Sequence, residues 1–150
     1  MSHISWRIAL LNGLFVLSVA APGWAAGEPV TAPAETVVFY FHRTGRCPTC
    51  LKLEAWSGEV VQGLAAGENP RAVTFKAVNL DVPENKHYEQ DFQLTFSSVV
   101  AAEVQADGRA ARWKNLGRIW ELSGREVEFR KYLAEEIGRF LGARGPKPSP

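Results

Sequence analysis

An α/β fold is predicted for this chain, on three features of its sequence. Thr36-Val37-Val38-Phe39-Tyr40-Phe41 is an apolar run rich in β-branched and aromatic residues, the composition of a buried strand. Apolar residues then recur at Leu51, Leu53, Trp56, Val60, Val61 and Leu64, a spacing that suits an amphipathic helix better than a strand. Strand and helix patterns continue to alternate until Asp107-Gly108 marks the turn of a hairpin. Such alternation within 150 residues argues for one α/β domain, long enough to bury a sizeable core.

In chain order, the first segment has the pattern of a secretory signal peptide (1–25). Arg7 supplies its positive end, Ile8 to Ala20 its apolar core, and Gly23-Trp24-Ala25 the small residues before cleavage. The apolar core is short for a membrane span, so a cleaved leader is expected rather than an anchor. Export to the periplasm or the exterior would place the cysteines in an oxidising compartment. Residues 26–35, with Pro29 and Pro33, read as a flexible lead-in, and 36–142 as the folded domain.

Within the domain, the first strand leads through a short polar loop with Gly45 into a helix. That helix should run to about Ala65, where Ala66-Gly67-Glu68-Asn69-Pro70 ends it. Val73 to Leu80 reads as a second strand, and Pro83-Glu84-Asn85 opens a short helix through about Asp91. Ser97 to Val104 and Ala110 to Trp113 form the hairpin strands around Ala106-Asp107-Gly108-Arg109. Helical stretches follow near Arg118–Leu122 and Glu126–Leu141, the second with an apolar stripe of Phe129, Leu133, Ile137 and Phe140. Trp113 and Trp120 are expected in the core against that last helix. The end, 143–150, closes on Pro-Lys-Pro-Ser-Pro and reads as a disordered tail.

The chemistry lies in Cys47-Pro48-Thr49-Cys50, which holds both cysteines of the chain. Cys47 falls at or just before the first helical turn, with Pro48 where its missing N–H costs nothing. Unpaired N–H groups and the helix dipole would stabilise a thiolate on Cys47. His42, Arg43 and Arg46 add cationic character just upstream. Cys50, one turn inward, is placed to attack a mixed disulfide formed on Cys47.

The same spacing also fits half of a zinc site, but no second cysteine pair exists and the histidines are His3, His42 and His87. An inert bridge is the other alternative, although so small a loop constrains the unfolded chain little. Asp81, Glu84, His87 and Glu89 lack a clear ligand spacing and read as a solvated helix face. The formal net charge of +1 gives no polyelectrolyte signature, so nucleic acid is not an expected partner.

The order strand–helix–strand–helix–hairpin–helix, with the cysteines after the first strand, resembles the thioredoxin fold. That resemblance implies a mixed four-stranded sheet flanked by helices. Phe41 to Cys50, Val78 to Asn85 and Trp113 to Leu122 further resemble small exported proteins grouped as the ArsF family, a nitrophenyl compound nitroreductase subunit. No flavin or nicotinamide fingerprint accompanies the resemblance, so the chain by itself is not expected to reduce nitro groups, and no cofactor is expected.

Two departures from the thioredoxin pattern bear on mechanism. Ser98 falls where thioredoxins carry a cis-proline, and a cis bond without proline costs about 3–4 kcal/mol, so a trans bond is expected. Loss of that proline strengthens the case for metal or metalloid binding. Phe41 falls where thioredoxins carry a buried acid that helps deprotonate the inner cysteine.

The expected function is therefore an exported thiol–disulfide oxidoreductase or electron-relay module. Cys47 and Cys50 are its catalytic residues, with His42, Arg46, Pro48, Thr49 and Ser98 in support and no metal ligand set. Protein thiols or disulfides are the expected partners, with a membrane electron donor if the pair acts as a reductant, and the chain is expected to be a monomer. The alternative is a soft-metal or metalloid binding protein using the same two thiols.

Overall fold

The structure is a computed structural model that describes residues 35–67 and 72–143. The expected signal peptide, residues 26–34 of the lead-in and 144–150 of the tail lie outside the described residues. So do residues 68–71 of the cluster that ends the first helix.

The first strand, β1 (Glu35–His42), is the one whose composition is apolar on both faces, and it lies inside the sheet. Every residue from Thr36 to Phe41 is buried. β1 pairs in parallel with β2 (Val73–Asn79), in a register that sets Thr36 opposite Val73 and His42 opposite Asn79. Two parallel strands need a crossover, which the helix α1 (Pro48–Ala66) provides. On its other side β1 pairs antiparallel with β3 (Ser98–Val104), Phe41 facing Ser98. β3 turns into β4 (Ala110–Asn115), with an irregularity at Glu103/Val104. The sheet order is thus β2-β1-β3-β4, the mixed four-stranded sheet that the resemblance implies.

Alternation along β1 divides the core in two. Val38 and Tyr40 face α1 and the last helix, α3 (Glu126–Gly142), meeting Leu53, Val61, Phe129, Leu133 and Ile137. Val37, Phe39 and Phe41 face the opposite way, toward Leu80, Phe92 and Leu94. Tyr88 of the short helix α2 (His87–Asp91) packs against this second cluster. Helices therefore lie on both faces of the sheet.

Several local expectations are refined. The stretch from Pro83 to Asp91 is not one helix: a 3₁₀ turn covers Pro83–Asn85 before α2 begins. The segment at Arg118–Leu122 is a single 3₁₀ turn, Gly117–Ile119, followed by turns. Trp113 is not against the last helix. It sits on the α2 face, 5.6 Å from the Phe92 ring in an edge-on arrangement, because β4 alternation turns it away from α3. Trp120 does pack in the α3 cluster as expected. At the hairpin tip Gly108 has φ +84°, a left-handed conformation that favours glycine, and the Gln105 amide donates to the Arg109 carbonyl at 2.9 Å.

Candidate functional site

Cys47 is the N-cap of α1, with extended backbone angles (φ −86°, ψ 157°), and Pro48 takes the first helical position. The helix begins there because Pro48 supplies a helical φ without a donor to satisfy, and because the Cys47 sulfur caps the turn. The Cys50 backbone N–H donates to Cys47 Sγ at 3.0 Å. Cys47 and Cys50 form a disulfide, with their Cα atoms 5.0 Å apart. Cys47 is exposed while Thr49 and Cys50 are half-buried. The two sulfurs are thus unequal: the outer one is open to an incoming group and already receives an N–H from the helix.

A network on the protein surface fixes the loop before Cys47. Arg43 donates to Asp81 at 3.0 Å and pairs with Glu89 at 2.6 Å. The Thr44 N–H donates to the other Asp81 oxygen at 2.7 Å, and the Asn79 side-chain amide to Thr44 Oγ1 at 3.0 Å. The Thr44 N–H first, and Arg43 second, hold the Asp81 carboxyl below its ordinary range. Asp81, Glu84 and His87 are exposed, as expected for a solvated face, and Asp81 and Glu89 also tether the cysteine loop, while His87 pairs with Asp91 at 2.7 Å. Arg43 adds cationic character upstream of Cys47, as expected, and its side chain remains partly exposed. Its charge is also shared by two carboxylates, which reduces what reaches the sulfur.

Arg46 forms an ion pair with Glu54, one turn beyond Cys50 on α1. Below them, the fully buried Tyr40 hydroxyl donates to the Cys50 carbonyl at 2.8 Å. Burial, with an opposing contribution from Arg46 and a smaller reinforcing one from Glu54, pushes the Tyr40 phenol up to about 12. Tyr40 and Glu54 were not singled out in the sequence. Tyr40 looked like one more residue of an apolar strand, although a hydroxyl in such a run needs a partner. Glu54 carried a signal in its spacing of four residues from Cys50.

The remaining supporting residues are placed as follows. His42 ends β1, and its Nδ1–H donates to the Arg43 carbonyl at 2.9 Å. Its ring lies 6.4 Å from that of Tyr40, on the face opposite Phe41, as strand alternation requires. Phe41 is fully buried in the α2-face cluster and brings no titratable group to the cysteines. Ser98 is buried opposite Phe41 in the β1–β3 register, and its hydroxyl donates to the Phe96 carbonyl at 2.9 Å. No cis peptide bond occurs among the described residues, consistent with a trans bond before Ser98. The Trp120 indole N–H donates to the Ser97 carbonyl at 2.7 Å and fixes this approach to β3.

Chemically, the arrangement is suited to nucleophilic attack at Cys47 with electrons departing onto Cys50. Among the described residues, no group of three or more His, Cys, Asp and Glu side chains gathers in a way that could hold a metal ion. No described helix is long and apolar enough to cross a membrane.

No family model matches this chain, and no curated protein matches it. Among solved structures, the solution structure of a thioredoxin from Thermus thermophilus is similar in fold. It is 20% identical, the alignment covers 77% of this chain and 85% of that one, and the TM-score is 0.46.

Proposed function

We propose that the protein is an exported thiol–disulfide oxidoreductase or electron-relay module, with Cys47 as the attacked and attacking sulfur and Cys50 as the resolving one. The observation that carries this reading is the asymmetry of the disulfide. Cys47 is exposed and accepts the Cys50 N–H at the start of α1, whereas Cys50 is half-buried above the Tyr40 hydroxyl. A purely structural bridge needs neither an exposed sulfur nor a polar group trained on it. Leu51 and Phe96 support a macromolecular thiol as substrate. Leu51 follows Cys50 directly, Phe96 precedes Ser98 by two residues, and both are about half exposed. The resemblance to small exported proteins of the ArsF family is compatible with a relay role, in which a membrane donor supplies electrons the compartment lacks.

In a Cys50→Ser variant the mixed disulfide on Cys47 has no resolving thiol. Incubation with a disulfide-bonded peptide should trap an adduct on Cys47, seen by intact mass, while Cys47→Ser traps none. Absence of any adduct from the reduced Cys50→Ser protein would refute the reading. Export is tested separately: the periplasmic or secreted form should begin near Ala26 by intact mass, and recovery of the full-length chain in the cytosol would overturn that part.

A further inference from the structure

Arg46 holds a donor that the oxidised protein does not use. Its Nε is buried and has no hydrogen-bond partner among the described residues, whereas the far end of the same guanidinium is anchored to Glu54. Buried donors left unpaired are costly and uncommon, so one beside a redox pair asks for an explanation. Arg46 stands just before the N-cap and reaches a residue two turns into α1. Cys50 lies between them in sequence and is one turn from Glu54 on α1, while Arg46, outside the helix, reaches back to Glu54 across its first turns. Glu54 points back along the helix toward it, as helical side chains do. Tyr40 gives an independent fix: its hydroxyl contacts the Cys50 carbonyl, and both Arg46 and Glu54 act on that phenol.

We infer that Arg46 is a positioning and charge-holding residue for the inner sulfur: its free Nε–H receives the Cys50 thiolate formed on reduction, and Glu54 holds the guanidinium in place. This rests on the redox reading above and adds to it what holds the charge of the inner sulfur. An arginine by the resolving sulfur favours its thiolate. It makes Cys50 a better leaving group and keeps it ionised for the reverse attack.

The steps balance with a dithiol as reductant. A substrate thiolate attacks Cys47 Sγ, forming the mixed disulfide and breaking the Cys47–Cys50 bond. The electron pair of that bond departs onto Cys50, where Arg46 meets it. The second substrate sulfur, deprotonated, then attacks the substrate sulfur of the mixed disulfide. The substrate disulfide forms, and Cys47 leaves as a thiolate. The pair gains two electrons and the substrate loses two. The other charged or titratable groups near the site are Tyr40 below Cys50, which stays protonated well above neutral pH, Glu54 itself, and His42 at the end of β1.

The test compares wild type with Arg46→Met and Arg46→Lys, each checked for native circular dichroism. It measures the equilibrium constant with glutathione and, in a Cys47→Ser background, the alkylation pH profile of Cys50. Without Arg46 the reduced form loses stabilisation, so Arg46→Met should make the pair about tenfold harder to reduce, equivalent to a potential about 30 mV lower. The Cys50 profile should move up by about one pH unit. Arg46→Lys keeps the charge and forfeits the Nε donor, so it should recover only part of either change. It also decides the matter if Arg46→Met does not fold. The inference is overturned if wild type exchanges with glutathione while Arg46→Lys matches it in both readouts, or if the profile shift appears instead at Cys47, measured in a Cys50→Ser background. A wild type that does not exchange at all would instead refute the redox reading itself.

Discussion

Cys47 and Cys50 are three residues apart yet experience different surroundings, and the difference comes from named neighbours. Cys47 is exposed, caps α1 and accepts an N–H; Cys50 is half-buried with its carbonyl held by Tyr40. In the reduced protein, alkylation near pH 6 should reach Cys47 first, and a faster Cys50 would reverse the assignment of roles. The Cys-x-x-Cys spacing and Pro48 made this placement legible in the sequence. The pairing of the upstream arginines was not, because Asp81 and Glu89 lie far along the chain and only the fold brings them to Arg43. Tyr40 offers a further check. Its phenol is raised from 10.0 to about 12, so the folded protein holds that proton where the unfolded chain has lost it. The contribution to stability is complete below about pH 10 and is lost as pH rises toward 12. Tyr132 is raised as well, chiefly by burial, so Tyr40→Phe should reduce the alkaline loss of stability without abolishing it. At neutral pH the same variant should lower stability by about 0.5–1.5 kcal/mol, measured by urea unfolding. An unchanged alkaline limb would mean that Tyr40 does not ionise late.

Among the elements, α1 carries the site and must lie close to the sheet for Tyr40 to reach Cys50. Gly58 permits that approach: a Cβ there would come within 3.3 Å of the Phe75 ring of β2. Gly58→Val should therefore overpack the contact and destabilise the protein by about 1–3 kcal/mol, read from the denaturation midpoint. No loss of stability would show that Phe75 yields freely and that α1 does not depend on this contact. The long elements were legible because their periodicity is strong: β1, α1 and α3 lie within a residue or two of their expected bounds. The short ones were less so. Pro83 to Asp91 splits into a 3₁₀ turn and one turn of α-helix, since tertiary contacts of Tyr88 and Phe92 with the sheet, not propensity, decide its path. Trp113 went to the opposite face because its burial in the sequence pattern does not say which face of β4 is which.

At the scale of the molecule, a sheet flanked on both faces holds β1 rigid, and the cysteines leave its end at the start of a helix. The order of elements along the chain made that architecture readable, since β1 and β2 can pair in parallel only through a crossover such as α1. Phe41 faces the α2 side of the sheet, so its neighbour Tyr40 is the residue that lies beneath Cys50. The Arg46–Glu54 pair and the Tyr40 hydroxyl on the Cys50 carbonyl required the fold. The proposed function turns on whether this disulfide is redox-active or a staple. The most direct measurement is the midpoint potential of the Cys47–Cys50 couple in the wild-type protein, equilibrated against glutathione buffers and scored by thiol alkylation. A potential in the range of redox-active Cys-x-x-Cys pairs, above about −300 mV, is the expected result; a value far below that would mark a structural disulfide and contradict a redox role.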